Sequence, residues 1–291
     1  MKPAAFEYYD PATIAEATAL LAQFGERARP LAGGQSLVPL MNFRLLKPSH
    51  LIDLNGVREL DYLRIESGEL RIGAITRQRR LERSAAVAEN WPLLREATGF
   101  IGHVQIRNRG TVGGSLAHAF PSAELPVAMV ALGASFVLRR KKGERTVSAE
   151  EFFVSHMTTV LQADELLAEI RVPVLAPKTG GSFQEVSRRH GDFALAGAAA
   201  LITLDNAGAI ARARVVFTGP APVRARKAED LLPGQRPADA LFREAARLAT
   251  ENMEQDSDIH ASADYRVHAC EILGRRALEA AARRAAGETR S

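Results

Sequence analysis

Apolar residues recur at helical spacing over residues 13–24, and the Thr13 hydroxyl stands where a helix cap would. Residues 29–32 have the length and composition of a short strand. Residues 37–46 return to helical spacing and are ended by Lys47-Pro48. Residues 51–54 predict another short strand, closed by the turn pair Asn55-Gly56. Residues 69–74 alternate as a strand. Residues 76–84 and 86–98 suit helices, the second interrupted at Trp91-Pro92. Ser122 is placed to cap a helix over residues 123–132, with Pro126 still in its first turn. Residues 135–139 and 166–172 are β-rich, and Lys141-Lys142-Gly143 between them predicts a charged hairpin turn.

Residues 173–181 hold Pro173, Pro177, Gly180 and Gly181, which makes them the clearest linker in the chain. Three β-like runs follow, at 182–187, 194–204 and 209–218, with Asn206-Ala207-Gly208 as the turn between the last two. Residues 238–286 are mostly helical in pattern, and the tail at 287–291 is expected to fray. The pattern predicts an α+β chain that ends in a small domain of three antiparallel strands and a few helices.

Composition narrows the class. At 291 residues the chain can build two or three cores. No apolar run reaches the length of a membrane-spanning helix, and the N-terminus lacks the apolar core of a signal peptide. A single cysteine, Cys270, excludes an internal disulfide and a cysteine-ligated iron–sulfur cluster. These features predict a cytoplasmic protein without a membrane span. The net charge of +4 comes from basic residues scattered between elements, without a basic stripe interleaved with aromatics. A solvated surface is the favoured reading, and nucleic acid is not an expected partner.

Two short stretches carry the candidate chemistry. One is Ala32-Gly33-Gly34-Gln35-Ser36-Leu37; the other is Thr111-Val112-Gly113-Gly114-Ser115-Leu116. Glycine lets the main chain approach phosphate oxygens and adopt positive φ. Successive N–H groups then form an anion nest, and a helix opening just after each stretch adds free N–H donors and the positive dipole end. Ser36, Thr111 and Ser115 can each donate one more hydrogen bond. Either stretch alone could be a structural turn. Two of them, each opening a helix, predict a dinucleotide diphosphate held between two subdomains. A P-loop and a Rossmann fingerprint are both missing.

The spans around these stretches extend the reading. The chain resembles the FAD-binding medium subunits of the molybdenum hydroxylases, the group of carbon monoxide dehydrogenase and xanthine dehydrogenase. The likeness runs over nearly the whole length. It includes residues 2–8, the stretch ending Gly33-Gly34-Gln35-Ser36-Leu37, and Gln105-Ile106-Arg107-Asn108-Arg109-Gly110 leading into the second glycine pair. Later it takes in Ala123-Glu124-Leu125-Pro126, Arg188-Arg189-His190-Gly191-Asp192-Phe193 and Ser262-Ala263-Asp264-Tyr265-Arg266.

The resemblance implies a PCMH-type (vanillyl-alcohol-oxidase-like) FAD-binding domain of two subdomains, at 1–55 and 56–176. A carbon monoxide dehydrogenase flavoprotein-type domain would follow at 177–291. It implies that Ala32, Gly33, Gly34, Gln35, Ser36, Leu37, Thr111, Gly113, Gly114 and Ser115 hold the pyrophosphate and its flanking ribitol. Glu124, Leu166, Leu167 and Phe193 would lie on the flavin side, and Ile101 completes the cofactor-binding set. His118 either bonds the glycine stretch or cofactor or supports the backbone. Two departures bear on flavin tuning: Phe120 stands where many relatives carry Asp, and Gln184 lies near a position where some carry Lys.

The resemblance further implies an electron-transfer subunit, inert on substrate alone and without catalytic residues or a metal site of its own. Its partners would be a small subunit with two [2Fe–2S] clusters and a large subunit with a molybdenum-pterin dinucleotide, assembled as a dimer of heterotrimers. Electrons would leave for an external acceptor. The rival readings are a self-sufficient FAD oxidase or dehydrogenase of the same fold and a flavin-free nucleotide-binding assembly protein.

Other residues read as structural. Cys270 and Trp91 are expected in cores, and His190 is expected to order a basic turn. Arg188 and Arg189 suit either a phosphate or subunit contact or a solvated turn. His103 and His156 are assigned no role. Glu165 and Glu169 flank a strand without acid–base pairing.

Overall fold

The computed structural model describes residues 1–288. The expected fraying at Thr289, Arg290 and Ser291 lies outside the described residues. The described chain forms two compact units. The first contains Met1–Arg83, His103–Ala119 and Ala134–Pro173; the second contains Ser84–Gly102, Phe120–Gly133 and the chain from Val174 onward.

The first unit holds two main sheets. A parallel three-stranded sheet has the order Glu7–Tyr9, His50–Asp53, Ala28–Leu31. Helix Ile14–Phe24 packs on it through Ala17 and Leu21, and Thr13 Oγ1 caps its first turn by accepting from Glu16 N at 3.2 Å. An antiparallel five-stranded sheet has the order Leu63–Glu66, Glu69–Gly73, Leu166–Pro173, Ser135–Arg139, Glu144–Ser148. Ile52, Leu54, Leu60, Leu166 and Ala168 join the helix residues in one apolar cluster. Burying each of the Leu and Ile side chains contributes about 1.5–3 kcal/mol.

The Lys141-Lys142-Gly143 turn does not lead to strand Leu166–Pro173. It joins Ser135–Arg139 to Glu144–Ser148, whose alternation is too polar to have been read as a strand. The helix after the first glycine stretch covers only Leu37–Asn42. It stops early because Arg44 takes φ 57, and the N–H groups of Leu45 and Leu46 both turn back to Leu40 O.

The second unit is built on an antiparallel sheet, Thr179–Ser187, Ala194–Leu204, Ile210–Phe217, with the two-residue strand Val223–Arg224 added at the edge. The linker is therefore shorter than its prolines and glycines predict, because the first strand already begins at Thr179.

One face of this sheet presents Ala196, Ala198, Ala200 and Ile202 to helix Ala263–Ala285. Small residues on both sides let the helix sit close. A side chain on Gly180 would meet Ala281 O and Arg284 C of that helix. The opposite face is covered by helices Pro92–Phe100 and Glu124–Leu132: Gly181 lies under Leu93, and Phe183 packs on Phe100 at 5.7 Å.

Helix Glu124–Leu132 is buried along its whole length, and its N-cap is Ala123. The Ser122 hydroxyl does not cap it, contrary to expectation, so the helix start is set by packing. Its C-terminal carbonyl end is met by Arg214, whose NH1 donates to Ala131 O at 3.2 Å. Trp91 and Cys270 are core residues, as their surroundings in the sequence predict. Burial pushes the Cys270 thiol up to about 12, which leaves it inert as a nucleophile.

Candidate functional site

Both glycine stretches belong to the first unit, and they touch. A Cβ on Gly33 would strike Arg109 O and come within 2.8 Å of Gly110 Cα. A Cβ on Gly114 would lie 3.5 Å from the Ala32 methyl. Gly34 takes φ +75, a left-handed conformation that glycine adopts without strain.

Within the first stretch, main-chain donors are left over. The carbonyls of Gly34 and Ser36 are used by Val38 N (3.1 Å) and Leu40 N (3.2 Å), and Gly33 O accepts from Gln35 Nε2 (3.0 Å). Among the described residues, the consecutive N–H groups of residues 33–37 donate to no protein acceptor. A run of unsatisfied donors beside a left-handed glycine is an anion nest. Ser36 is exposed, and its hydroxyl makes no capping bond.

The second stretch is built differently from the expectation. Its glycines do not precede a helix; they lie in the first turn of helix Val112–His118, whose N-cap is Thr111. The expected free donors there are already used. Val112 N donates to Thr76 O (2.9 Å), Gly113 N to Ala74 O (2.8 Å) and Gly114 N to Thr111 Oγ1 (3.0 Å). Gly113 is a glycine because the chain at Ala74 is packed on it. A Cβ there would sit 2.6 Å from Ala74 Cβ and 2.7 Å from Ala74 O. What the second stretch offers outward is the dipole of its helix and the Ser115 hydroxyl.

Residues the sequence reading did not single out hold the two stretches in register. Asn55 Nδ2 donates to Ala32 O at 2.9 Å, while its Oδ1 accepts from Arg77 NH2 at 2.6 Å. Arg77 NH1 donates to Arg109 O at 2.5 Å, and Arg77 pairs with Thr111 in an isolated antiparallel bridge. Gln78 N donates to Gly110 O at 2.9 Å. Burial, with Arg109 nearby, lowers the Arg77 guanidinium pKa. Asn55-Gly56 is legible only as a turn, and Arg77 only as a charge at the start of a helical pattern.

Of the other candidates in this unit, His118 ends helix Val112–His118, and burial lowers its pKa, which favours the neutral ring. Leu166 and Leu167 are buried in the central strand of the five-stranded sheet. Glu165 takes a two-pronged bond from Arg145 (2.7 Å each), which holds its carboxyl below the usual range. Glu169 accepts from Tyr62 and Arg171. Both acids are structural.

The second unit carries Ile101, Glu124 and Phe193. Glu124 is buried at the start of its helix. Phe193 is 72% exposed and rests on Phe120 at 4.7 Å between ring centroids. That contact gives the apolar residue at 120 a local reason. Gln184 donates to Ser182 Oγ at 2.9 Å. Arg188 NH1 meets His260 Nδ1 at 2.8 Å. Among the described residues, no group of three or more His, Cys, Asp or Glu could hold a metal, and no helix is long and apolar enough to cross a membrane.

Comparison with known proteins gives the same picture over the whole length. Residues 4–175 match the family model of the FAD binding domain in molybdopterin dehydrogenase, and residues 181–281 match the CO dehydrogenase flavoprotein C-terminal domain. The alpha subunit of the 6-hydroxypseudooxynicotine dehydrogenase complex of Paenarthrobacter nicotinovorans is 41% identical, covering 98% of this chain and 97% of the relative. The beta subunit of caffeine dehydrogenase from Pseudomonas sp. (strain CBB1) is 39% identical, covering 98% of this chain and 97% of the relative. Among solved structures, carbon monoxide dehydrogenase from Hydrogenophaga pseudoflava superposes with a TM-score of 0.94 at 39% identity, covering 97% of this chain and 98% of that one.

Proposed function

Because this chain belongs to the family of FAD-binding subunits of the molybdenum hydroxylases, we propose that it is the electron-transfer flavoprotein subunit of such a complex. The observation that carries the reading is the run of unbonded N–H groups at residues 33–37, set against the start of helix Val112–His118. The chemistry of these donors fits a diphosphate. They are neutral, consecutive and free of carboxylates, and the glycines leave no Cβ to block approach.

When bound, FAD supplies a two-electron centre that can also exchange electrons singly, and so links an iron–sulfur donor to an external acceptor. The residues of this chain bind and orient it. Ala32, Gly33, Gly34, Gln35, Ser36 and Leu37 take the diphosphate on their main chain. Thr111, Gly113 and Gly114 fix the helix start beside it, and Ser115 offers a hydroxyl. Asn55 and Arg77 keep the two stretches together. Ile101, His118, Glu124, Leu166, Leu167 and Phe193 make up the remaining cofactor contacts.

The domain limits of the proposal are 1–55, 56–176 and 177–291. The partners are a [2Fe–2S] subunit and a molybdenum-pterin subunit, in a cytoplasmic dimer of heterotrimers. The substrate is selected by the molybdenum subunit. The test is purification of the tagged chain from its own cells. Two co-purifying subunits with flavin, iron and molybdenum are the expected result. A colourless chain recovered without partners would overturn the proposal.

A further inference from the structure

The central strand of the parallel sheet, His50–Asp53, ends beside the first glycine stretch. Asp53 stands directly opposite Leu31, the last strand residue before that stretch, and Tyr8 lies on the strand at the other side. In parallel sheets ligands bind beyond the carboxyl ends of the strands. A carboxylate at such an end repels a diphosphate unless its charge is taken up, so its partners decide its role.

Asp53 takes three donors. Its Oδ1 accepts from Asn55 N (2.9 Å) and from Asn55 Nδ2, and its Oδ2 accepts from Tyr8 OH (2.6 Å). The first bond is the cap of the turn at residues 54–56. The other two reach side chains, and that cap does not need them. The bond to Asp53 pushes the Tyr8 phenol up to about 12, so the hydroxyl keeps its proton and donates over the whole neutral range. The Arg77 guanidinium is close enough for the Asp53 charge to act on it.

These bonds fix which way the Asn55 amide is turned. Its Nδ2 faces Asp53 Oδ1 and Ala32 O, and its Oδ1 faces Arg77 NH2. Turned over, the amide would set oxygen against two oxygens and NH2 against a guanidinium, losing all three bonds. The orientation matters because of what Nδ2 holds. A trans peptide is planar, and its C=O and the following N–H point in opposite directions. Holding Ala32 O from one side therefore aims Gly33 N–H, the first unbonded donor of the stretch, to the other. Arg77 acts on the facing chain by binding Arg109 O, the carbonyl against which Gly33 is packed.

We infer that Asp53 is a positioning residue for the diphosphate: backed by Tyr8, it holds the Asn55 amide in the one orientation that aims the Gly33 N–H at the ligand. The inference rests on the reading of residues 33–37 as the diphosphate site. Asp53 acts through Asn55 and the Ala32 carbonyl, while its own oxygens stay on Asn55 and Tyr8.

The test is titration of the flavin-free full chain with FAD and, separately, with ADP, which carries the diphosphate without the flavin. Asp53→Ala frees the amide to turn and should weaken both ligands by the same factor, about tenfold. Asp53→Asn keeps an oxygen for Asn55 and should bring both back to within about threefold of wild type. Tyr8→Phe removes only the hydroxyl of an exposed ring; it should weaken both by about threefold and leave the melting temperature unchanged. It decides the matter alone if Asp53→Ala does not fold.

Amide hydrogen exchange separates positioning from general loosening. FAD should slow exchange at residues 33–37 of the wild type. In Asp53→Ala at saturating FAD, that protection should fall at Gly33 and Gly34 while the five-stranded sheet exchanges as in the wild type. Unchanged affinity in Asp53→Ala and Tyr8→Phe overturns the inference. So does a loss for FAD that ADP does not share, or equal loosening of the sheet and the stretch. A wild-type chain that binds neither FAD nor ADP would instead sink the functional proposal.

Discussion

The two glycine stretches share a composition and do different work. Residues 33–37 leave their main-chain donors unbonded, whereas Val112, Gly113 and Gly114 spend theirs on Thr76, Ala74 and Thr111. Gly34 is needed for its left-handed backbone, and Gly113 for the space that Ala74 fills. Similar sequences therefore separate into a stretch with free main-chain donors and a stretch whose donors fix the local frame. Glycine content alone does not distinguish them, because close packing and open approach both require a missing Cβ.

Substitutions can break this contrast. Gly113→Ala should have the largest effect, a loss of about 1–3 kcal/mol, because the new Cβ runs into the main chain at Ala74. Thermal unfolding of the full chain measures it. Undiminished stability with lost flavin would put the second stretch in the same class as the first. Gly34→Ala should cost about 1–2 kcal/mol from its left-handed backbone. Its loss of flavin affinity in a titration should exceed what that destabilisation explains.

Thr111→Ala removes the cap on Gly114 N and should cost about 1 kcal/mol, with flavin affinity reduced only indirectly. Ser36→Ala should be the mildest for the fold, within about 0.5 kcal/mol of wild type, because the side chain is exposed and caps nothing. Removing one hydroxyl donor to a charged oxygen should still weaken flavin binding about tenfold. If Ser36→Ala lowers the melting point and leaves flavin affinity intact, the contrast between the stretches is reversed.

Much of the fold is legible in the chain because it is local. Thr13 caps the helix predicted after it, Trp91-Pro92 divides two helices as expected, and the β-like runs at 182–187, 194–204 and 209–218 fall on the strands of one sheet. The misreadings occur where packing overrides local preference. Ser122 has the chemistry of a cap and does not cap, and strand Glu144–Ser148 is held by its hairpin partner despite a polar pattern.

The site divides along the same line. The sequence by itself determined the glycines, the small hydroxyls beside them and the family resemblance, since these follow from residue type and spacing. The three-dimensional arrangement decided which N–H groups remain free and that Asn55 and Arg77 bind the two stretches together. Hydrogen-bond satisfaction and burial belong to partners far apart in the chain, and no local pattern encodes them.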